Sequence, residues 1–511
     1  MQGVPEIRIR TANDQAVNSD GDYVLYWMIA NRRTRWNFAL DRAVDHAREL
    51  KKPLVILEAL RYGYPWASDR LHRFILQGMA ANQEALGGSK ALYYPYVEPK
   101  QGAGHGLLEA LADHACVVVT DEFPCFFLPR MVAAAAKRLP VLCEQVDTNG
   151  LLPLRAATES YPTAYAFRRF LQRTLGEHLD HAPRADALAR AALPRLAKLP
   201  TAITRRWPMA SAKLLAGDAK ELAELPIDHT VGVVETEGGA AAGEKTLRRF
   251  LSRLLTRYPE DRNEPAADAT SNLSPYLHFG HISSHEIFHC LAEQENWTAE
   301  SLGKKAAGKR SGWWGMSDAA EAFLDQFITW RELGYNFCTT RDDYDQFDSL
   351  PDWAKKTLHK HERDHRPTIY STEEFAAAKT HDELWNAAQR QLLTEGRMHN
   401  YLRMLWGKKI LEWSATPREA LDTMIDLNNK YAIDGRNPNS YSGIFWILGR
   451  FDRPWGPERP IFGTVRYMSS DNTARKFDIA PYLAKYGATG AEKDPADHKR
   501  TSPRQRLSKK R

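Results

Sequence analysis

Residues 384–443 read LWNAAQRQLLTEGRMHNYLRMLWGKKILEWSATPREALDTMIDLNNKYAIDGRNPNSYSG. Within this stretch MHNYLRMLWGKKILEW and PREALDTMIDL carry apolar residues at three-to-four spacing, which predicts amphipathic helices. It holds Trp385, Trp406 and Trp413, the consecutive amides Asn428 and Asn429, and few groups that ionise near neutral pH. That composition is poor for acid–base catalysis. Trp406 and Trp413 are seven residues apart, two turns, so they project from one helix face about 10 Å apart along the axis. That is too far for contact, and Trp385 from a neighbouring helix fits between them. Core packing is the ordinary fate of a helical tryptophan. Arg403 lies on the same predicted helix, and Asp434 sits in the turn IDGRNP. The two can form a structural ion pair joining two segments, or set a charge beside a bound group.

Working outward, the helical periodicity extends over 244–487, through EKTLRRFLSRLL, SHEIFHCLAEQ, EAFLDQFITWREL and DELWNAAQRQLL. Upstream the pattern changes. Short runs rich in Val, Ile, Leu and Tyr recur as YVLYWMIA (23–30), PLVILEAL (53–60), ALYYPYV (91–97), ACVVVTD (115–121) and PVLCEQV (140–146), with helical patterns between them. Strands alternating with helices predict an α/β domain over 21–150 with a doubly wound parallel sheet and a crevice at the C-terminal strand ends. No GxGxxG or GxxxxGK[ST] occurs in this region, so no ordinary dinucleotide or triphosphate site is indicated. Residues 151–243 are proline-rich and end in the run GGAAAG, which predicts a long interdomain connection finishing in a flexible loop. Residues 1–20 are polar and unpatterned, as in a disordered arm.

At 511 residues and 43% hydrophobic content the chain can bury two ordinary cores. It opens with no signal-peptide pattern and has no apolar run of membrane-spanning length, so a soluble intracellular protein, cytoplasmic or otherwise, is expected. The five cysteines, at 116, 125, 143, 290 and 338, have no CxxC spacing, which fits reduced structural thiols rather than a metal or iron–sulfur site. Of the net charge of +6, the segment 491–511 supplies eight cationic and three anionic residues. The body is therefore nearly neutral, and a polyanionic partner must be met by a local patch. The basic tail, 488–511, reads either as a solvated terminus or as a nonspecific nucleic-acid tether.

The order GRMHNYLRMLWGKKILEW…LNNKYAIDGRNPNSYSG, with SNLSPYLHFG at 271–280 and YWMIANRRTRWNFAL at 26–40, resembles the class II cyclobutane pyrimidine dimer photolyases, and the likeness covers most of residues 20–487. It implies an antenna-type α/β domain followed by an all-α C-terminal FAD-binding domain, and light-driven repair of pyrimidine dimers in DNA by electron transfer from photoexcited reduced FAD. A cryptochrome-like light sensor without repair activity is the alternative. A second chromophore, a deazaflavin or a folate, is implied for the α/β domain. A monomer is expected.

Residue by residue, the resemblance implies that Tyr258, Thr270, Ser271, Asn272, Leu273 and Ser274 grip the flavin diphosphate. Ser274 before Pro275 also reads as an N-cap before a proline at the first helical position, and a helix start suits a diphosphate. Arg403 and Asp434 would line the isoalloxazine, with the cation stabilising the anionic reduced ring, and Asn428 would face its N5. Trp406, Trp385 and Trp413 match electron-hopping tryptophans, Trp413 being at the surface. The family often reads Met-Tyr-Trp where this chain has Met404-Leu405-Trp406. Trp330, Tyr401, Met404 and Trp446 would form an apolar slot for a flipped lesion, and Arg450, Arg453 and Arg466 are rim candidates for phosphates, or solvated surface. Gln326 stands where the family usually places a glutamate; an amide keeps a donor and an acceptor but supplies neither proton nor charge. Asp325, about 100° away on an α-helix, is not expected to substitute for it. No metal is expected.

Overall fold

A six-stranded sheet forms the N-terminal half of the computed structural model, which describes residues 3–189 and 191–488. Strands β1 (Ile9–Thr11), β2 (Tyr23–Met28), β3 (Leu54–Leu60), β4 (Leu92–Val97), β5 (Ala115–Glu122) and β6 (Cys143–Asp147) lie in the order β1-β6-β5-β2-β3-β4. All pairings are parallel except β1 against β6, where Ile9 faces Val146. Every residue of β2 and β5 is buried, as a sheet covered on both faces requires. Helices α1 (Phe38–Glu49), α2 (Asp69–Leu86), α3 (Leu107–Ala112) and α4 (Leu128–Ala136) alternate with the strands. The entry to α1 is set by Asn37, whose side chain accepts from the backbone N–H of Ala39 and Leu40.

Two sequence expectations give way here. The N-terminal residues are not all an arm: Glu6–Arg8 form a 3₁₀ turn leading into β1. Arg8 is buried, donating to Asp147 and to the carbonyls of Gly150 and Leu151. A three-residue edge strand is too short to show a pattern, and a buried arginine reads as surface. The GGAAAG run is not a loop either, because Ala240–Arg249 is helical. Gly238 and Gly239 are there for proximity: a Cβ on Gly238 would meet the Phe74 carbonyl of α2 at 1.9 Å, and Gly239, at φ +100°, donates its N–H to His281 Nδ1. The basic segment 489–511 lies outside the described residues.

From Ala240 the described chain is helical, and its core is continuous with one face of the sheet, joining Trp27 and Tyr94 to Phe323, Trp385 and Leu427. Polar locks reinforce the junction. Arg70 of α2 donates to the carbonyls of Leu392, Leu393 and Tyr431, capping the ends of Glu383–Glu395 and Pro417–Tyr431. Glu332 accepts from the backbone N–H of Leu151 and Leu152 at 2.7 and 3.0 Å. Glu332→Leu orphans both buried donors and is expected to destabilise the protein by about 2–6 kcal/mol, measured by denaturant unfolding. Among the described residues no helix is long and apolar enough to cross a membrane.

Candidate functional site

The helical half encloses a cavity of about 1720 Å³. This exceeds the ~300–1,000 Å³ of an ordinary small-ligand site, and leaves room for a dinucleotide cofactor and a second, flat ligand. Its wall carries ten Lys or Arg side chains against seven carboxylates, so this is a local positive patch on a nearly neutral body.

The cavity is lined by every residue expected to bind the flavin: Tyr258, Thr270, Ser271, Asn272, Leu273, Ser274, Arg403, Asn428 and Asp434. The segment 270–274 is set by its own polar groups. Thr270 Oγ1 donates to Asn272 Oδ1, which also accepts from Arg397, and Asn272 takes a left-handed backbone at φ +55°, where asparagine is among the tolerated residues. The helix Ser274–His278 starts one residue earlier than expected, with Leu273 at its N-cap and no side-chain cap. The Ser274 hydroxyl is thereby released from capping, and donates to Asp434 Oδ2 at 2.6 Å. Arg403 reaches Asp434 Oδ1 at 3.1 Å. Burial pushes the Asp434 carboxyl up, but Arg403 and the Ser274 hydroxyl more than offset it and hold the group below the usual carboxylate range. Asn428 is 2% exposed and lines the cavity from Pro417–Tyr431. Hydroxyls and amides beside a guanidinium, with an ionised carboxylate to orient it, suit a flavin dinucleotide, so the residues fit the group.

Gln326, Trp330, Met404 and Trp446 line the same cavity. Tyr401 stands apart, edge-on to Phe477 at 4.6 Å in an adjoining cavity that shares Met404, Trp446 and Arg466 with the main one. Lys408 is fully buried behind Trp446, 5.3 Å from its ring, and burial pushes its ammonium down to about 7. Of the rim candidates, Arg453 and Arg466 line the cavity, and Arg466 is tied to Asp452 at 2.9 Å. Arg450 is buried against Phe337 and Phe451, donates to the Ser349 carbonyl and belongs to the core. Lys309 and Arg310, in a loop without helical pattern, are exposed cationic wall residues that sequence reasoning passed over.

The backbone over Asp325–Trp330 is a π-helical turn, not α. Asp325 and Gln326 both line the cavity.

Trp385 lies between Trp406 and Trp413, as their spacing suggested. Trp385 lies parallel to Trp406, with ring centroids 6.4 Å apart and planes within 5°, and 6.1 Å from Trp413 at 69°. Trp385 Nε1 donates to the Trp406 carbonyl, and Trp406 Nε1 to Gln389 Oε1. Of the three only Trp406 lines the cavity. Trp413 is not at the surface: it is 4% exposed. The aromatic series reaches solvent one ring later, at Tyr370, 5.7 Å from Trp413. The Tyr370 hydroxyl is 2.6 Å from Nδ1 of exposed His381. Tyr370 and His381 lie in an irregular segment and at a helix approach, and carry no motif that would have singled them out.

No family model matches the chain. Among curated proteins it is 34% identical to a deoxyribodipyrimidine photo-lyase of Methanothermobacter thermautotrophicus, over 93% of this chain and 97% of that one. It is also 34% identical to a deoxyribodipyrimidine photo-lyase of Oryza sativa, over 91% of this chain and 87% of the relative. Among solved structures, a class III photolyase from Agrobacterium tumefaciens superposes with a TM-score of 0.62 at 17% identity, covering 93% of this chain and 88% of that one, a likeness of fold.

Proposed function

Because the chain belongs to the deoxyribodipyrimidine photo-lyase family, a family of light-dependent DNA-repair enzymes that bind FAD, we propose a division of labour among its own residues. Bound FAD supplies the light-driven one-electron chemistry that splits a cyclobutane pyrimidine dimer; the protein supplies position, electrostatics and exclusion of water. The observation that carries the assignment is one cavity lined both by flavin-type polar donors and by the side chains of Trp330, Met404 and Trp446.

Thr270, Ser271, Asn272 and Ser274, with Tyr258 and Leu273 behind them, hold the diphosphate. Arg403, oriented by Asp434, places a positive charge beside the ring and favours its reduced, anionic form. Asn428 donates to or accepts from N5 as the redox state demands, without ionising. Trp330, Met404 and Trp446 grip the extruded dimer, Tyr401 supports the slot from the adjoining cavity, and Arg453, Lys309 and Arg310 hold flanking phosphates. Trp406, Trp385 and Trp413 pass an electron inward to reduce oxidised flavin, with Tyr370 as the outermost ring and His381 placed to take its phenolic proton. We assign the chain to the class II branch on its long central motif, and place a second chromophore, deazaflavin or folate, in the crevice of the α/β domain. The protein acts as a monomer in the compartment that holds the DNA.

The test is a repair assay. Photoreduced protein and an oligonucleotide carrying one thymine dimer should recover absorbance near 260 nm under blue light and not in darkness. A yellow, reducible protein that binds the lesion without recovery under light would favour a sensor. Arg403→Met should weaken flavin retention by about 10- to 100-fold, the ~1.5–3 kcal/mol of a charge-assisted contact, read by fluorescence on flavin release.

A further inference from the structure

Gln326 is not free to turn. The neighbouring Asp325 is 7% exposed and is held by Arg168, whose Nε and Nη2 approach the same oxygen, Oδ1, at 2.8 and 2.7 Å. The other oxygen, Oδ2, accepts from Gln326 Nε2 at 3.3 Å. An ionised carboxylate accepts and cannot donate, so the end of the amide facing it must be the NH₂ group. Turned the other way, Oε1 would face a carboxylate oxygen with no proton between them. Both residues lie in the π-helical turn and line the cavity. Gln326 Oε1 and its second amide hydrogen have no protein partner among the described residues, and Gln326 lines the slot beside Trp330.

We propose that Asp325 and Arg168 are positioning residues that lock the Gln326 amide in one orientation, so that the slot reads the imide edge of thymine or uracil and discriminates against 4-aminopyrimidines. The inference rests on the repair reading of the cavity. An imide edge offers N3–H flanked by two carbonyls; a locked amide accepts from N3–H through Oε1 and donates its remaining hydrogen to a carbonyl. Cytosine reverses that order, with N3 accepting and the 4-amino group donating, and only a flipped amide could pair with it. A flip would break the bond to Asp325 and set two oxygens against each other. Buried polar groups left unpaired are what make such discrimination large.

The experiment measures dark binding of flavin-loaded protein, by fluorescence anisotropy, to otherwise identical oligonucleotides carrying T–T, T–C or C–T cyclobutane dimers, beside undamaged DNA. The wild type should prefer T–T over at least one of the cytosine-containing dimers by about 10- to 100-fold, the span of a well-made bidentate base contact. Asp325→Asn, which can pair with either end of the amide, should reduce that ratio to about threefold or less while binding to T–T falls far less, a pattern that a general loss of structure would not give. Gln326→Met leaves the buried ion pair intact and should also abolish the preference, which keeps the test decisive if Asp325→Asn fails to fold. Equal affinity of the wild type for all three dimers, or an unchanged ratio in Gln326→Met, overturns the proposal. Absence of any preference for dimers over undamaged DNA would instead overturn the repair reading beneath it.

Discussion

Replacing Trp406 by phenylalanine is expected to cut the photoreduction of oxidised flavin by about tenfold or more while changing repair by pre-reduced enzyme by less than about twofold, a difference of over ~1 kcal/mol between two activities of one protein. The separation follows from the stacking. Only Trp406 of the three tryptophans lines the cavity, and Trp385 and Trp413 follow it in ring-to-ring steps of 6.4 and 6.1 Å. Removing the first indole therefore isolates the cavity from the rest of the series, whereas in the proposed repair step the electron passes within the cavity and does not enter it. The substitution also orphans Gln389 Oε1, which is fully buried, at about 1–3 kcal/mol of stability. Both activities must therefore be normalised to bound flavin. Trp385→Phe should behave alike, since it breaks the next step. Equal loss of photoreduction and repair would remove Trp406 from this role.

Acid should unfold the protein more steeply than carboxylate protonation alone would. His72 and His281 are fully buried or nearly so, and burial pushes each down to about 3; His399 is pushed down to about 4, and His278 and His285 well below 6.5. In each case the unfolded chain takes up a proton near pH 6.5 that the folded chain refuses. Stability is therefore complete above pH 6.5 and falls as pH drops towards the folded value, by about 2 kcal/mol at pH 5 for each of His72, His281 and His399. Buried carboxyls work in the opposite direction. Glu332, raised by burial to about 7, and Asp41, raised to about 6, bind protons first in the folded state and stabilise it as pH falls. Their combined gain at pH 5 is about 4 kcal/mol, smaller than the about 6 kcal/mol lost at His72, His281 and His399, to which His278 and His285 add in the same direction.

The cleanest single test is His72→Phe, which preserves stacking on Tyr64, now parallel to the imidazole at 5.6 Å. Denaturant unfolding at pH 7 and pH 5 should show this pH-dependent loss reduced by about 2 kcal/mol in the variant. An unchanged slope would mean that His72 is not held neutral.

Much of the catalytic half is legible in the amino-acid sequence. The helical periodicity, the turn carrying Asp434 and the spacing of Trp406 and Trp413 depend on local chemistry and on period, and all three recur in the fold. Other expectations fail where a residue's neighbours are remote in sequence. Arg8 reads as surface, but its partners are at Asp147, Gly150 and Leu151. Arg450 reads as a phosphate ligand, but its partners are the Ser349 carbonyl and two phenylalanine rings. Gly238 and Gly239 read as flexibility, and are close packing against α2.

By itself, then, the sequence determined the two-part architecture and the family, because periodicity and an unbroken motif survive any rearrangement of distant contacts. Only the tertiary structure decided that Trp413 is buried and the aromatic series ends at Tyr370, that Tyr401 lies in the adjoining cavity, and that Asp325 lines the same cavity as Gln326. Side-chain direction depends on local backbone geometry and on which remote element packs alongside. A π-helical turn over Asp325–Trp330 redirects side chains without leaving a mark in the apolar pattern.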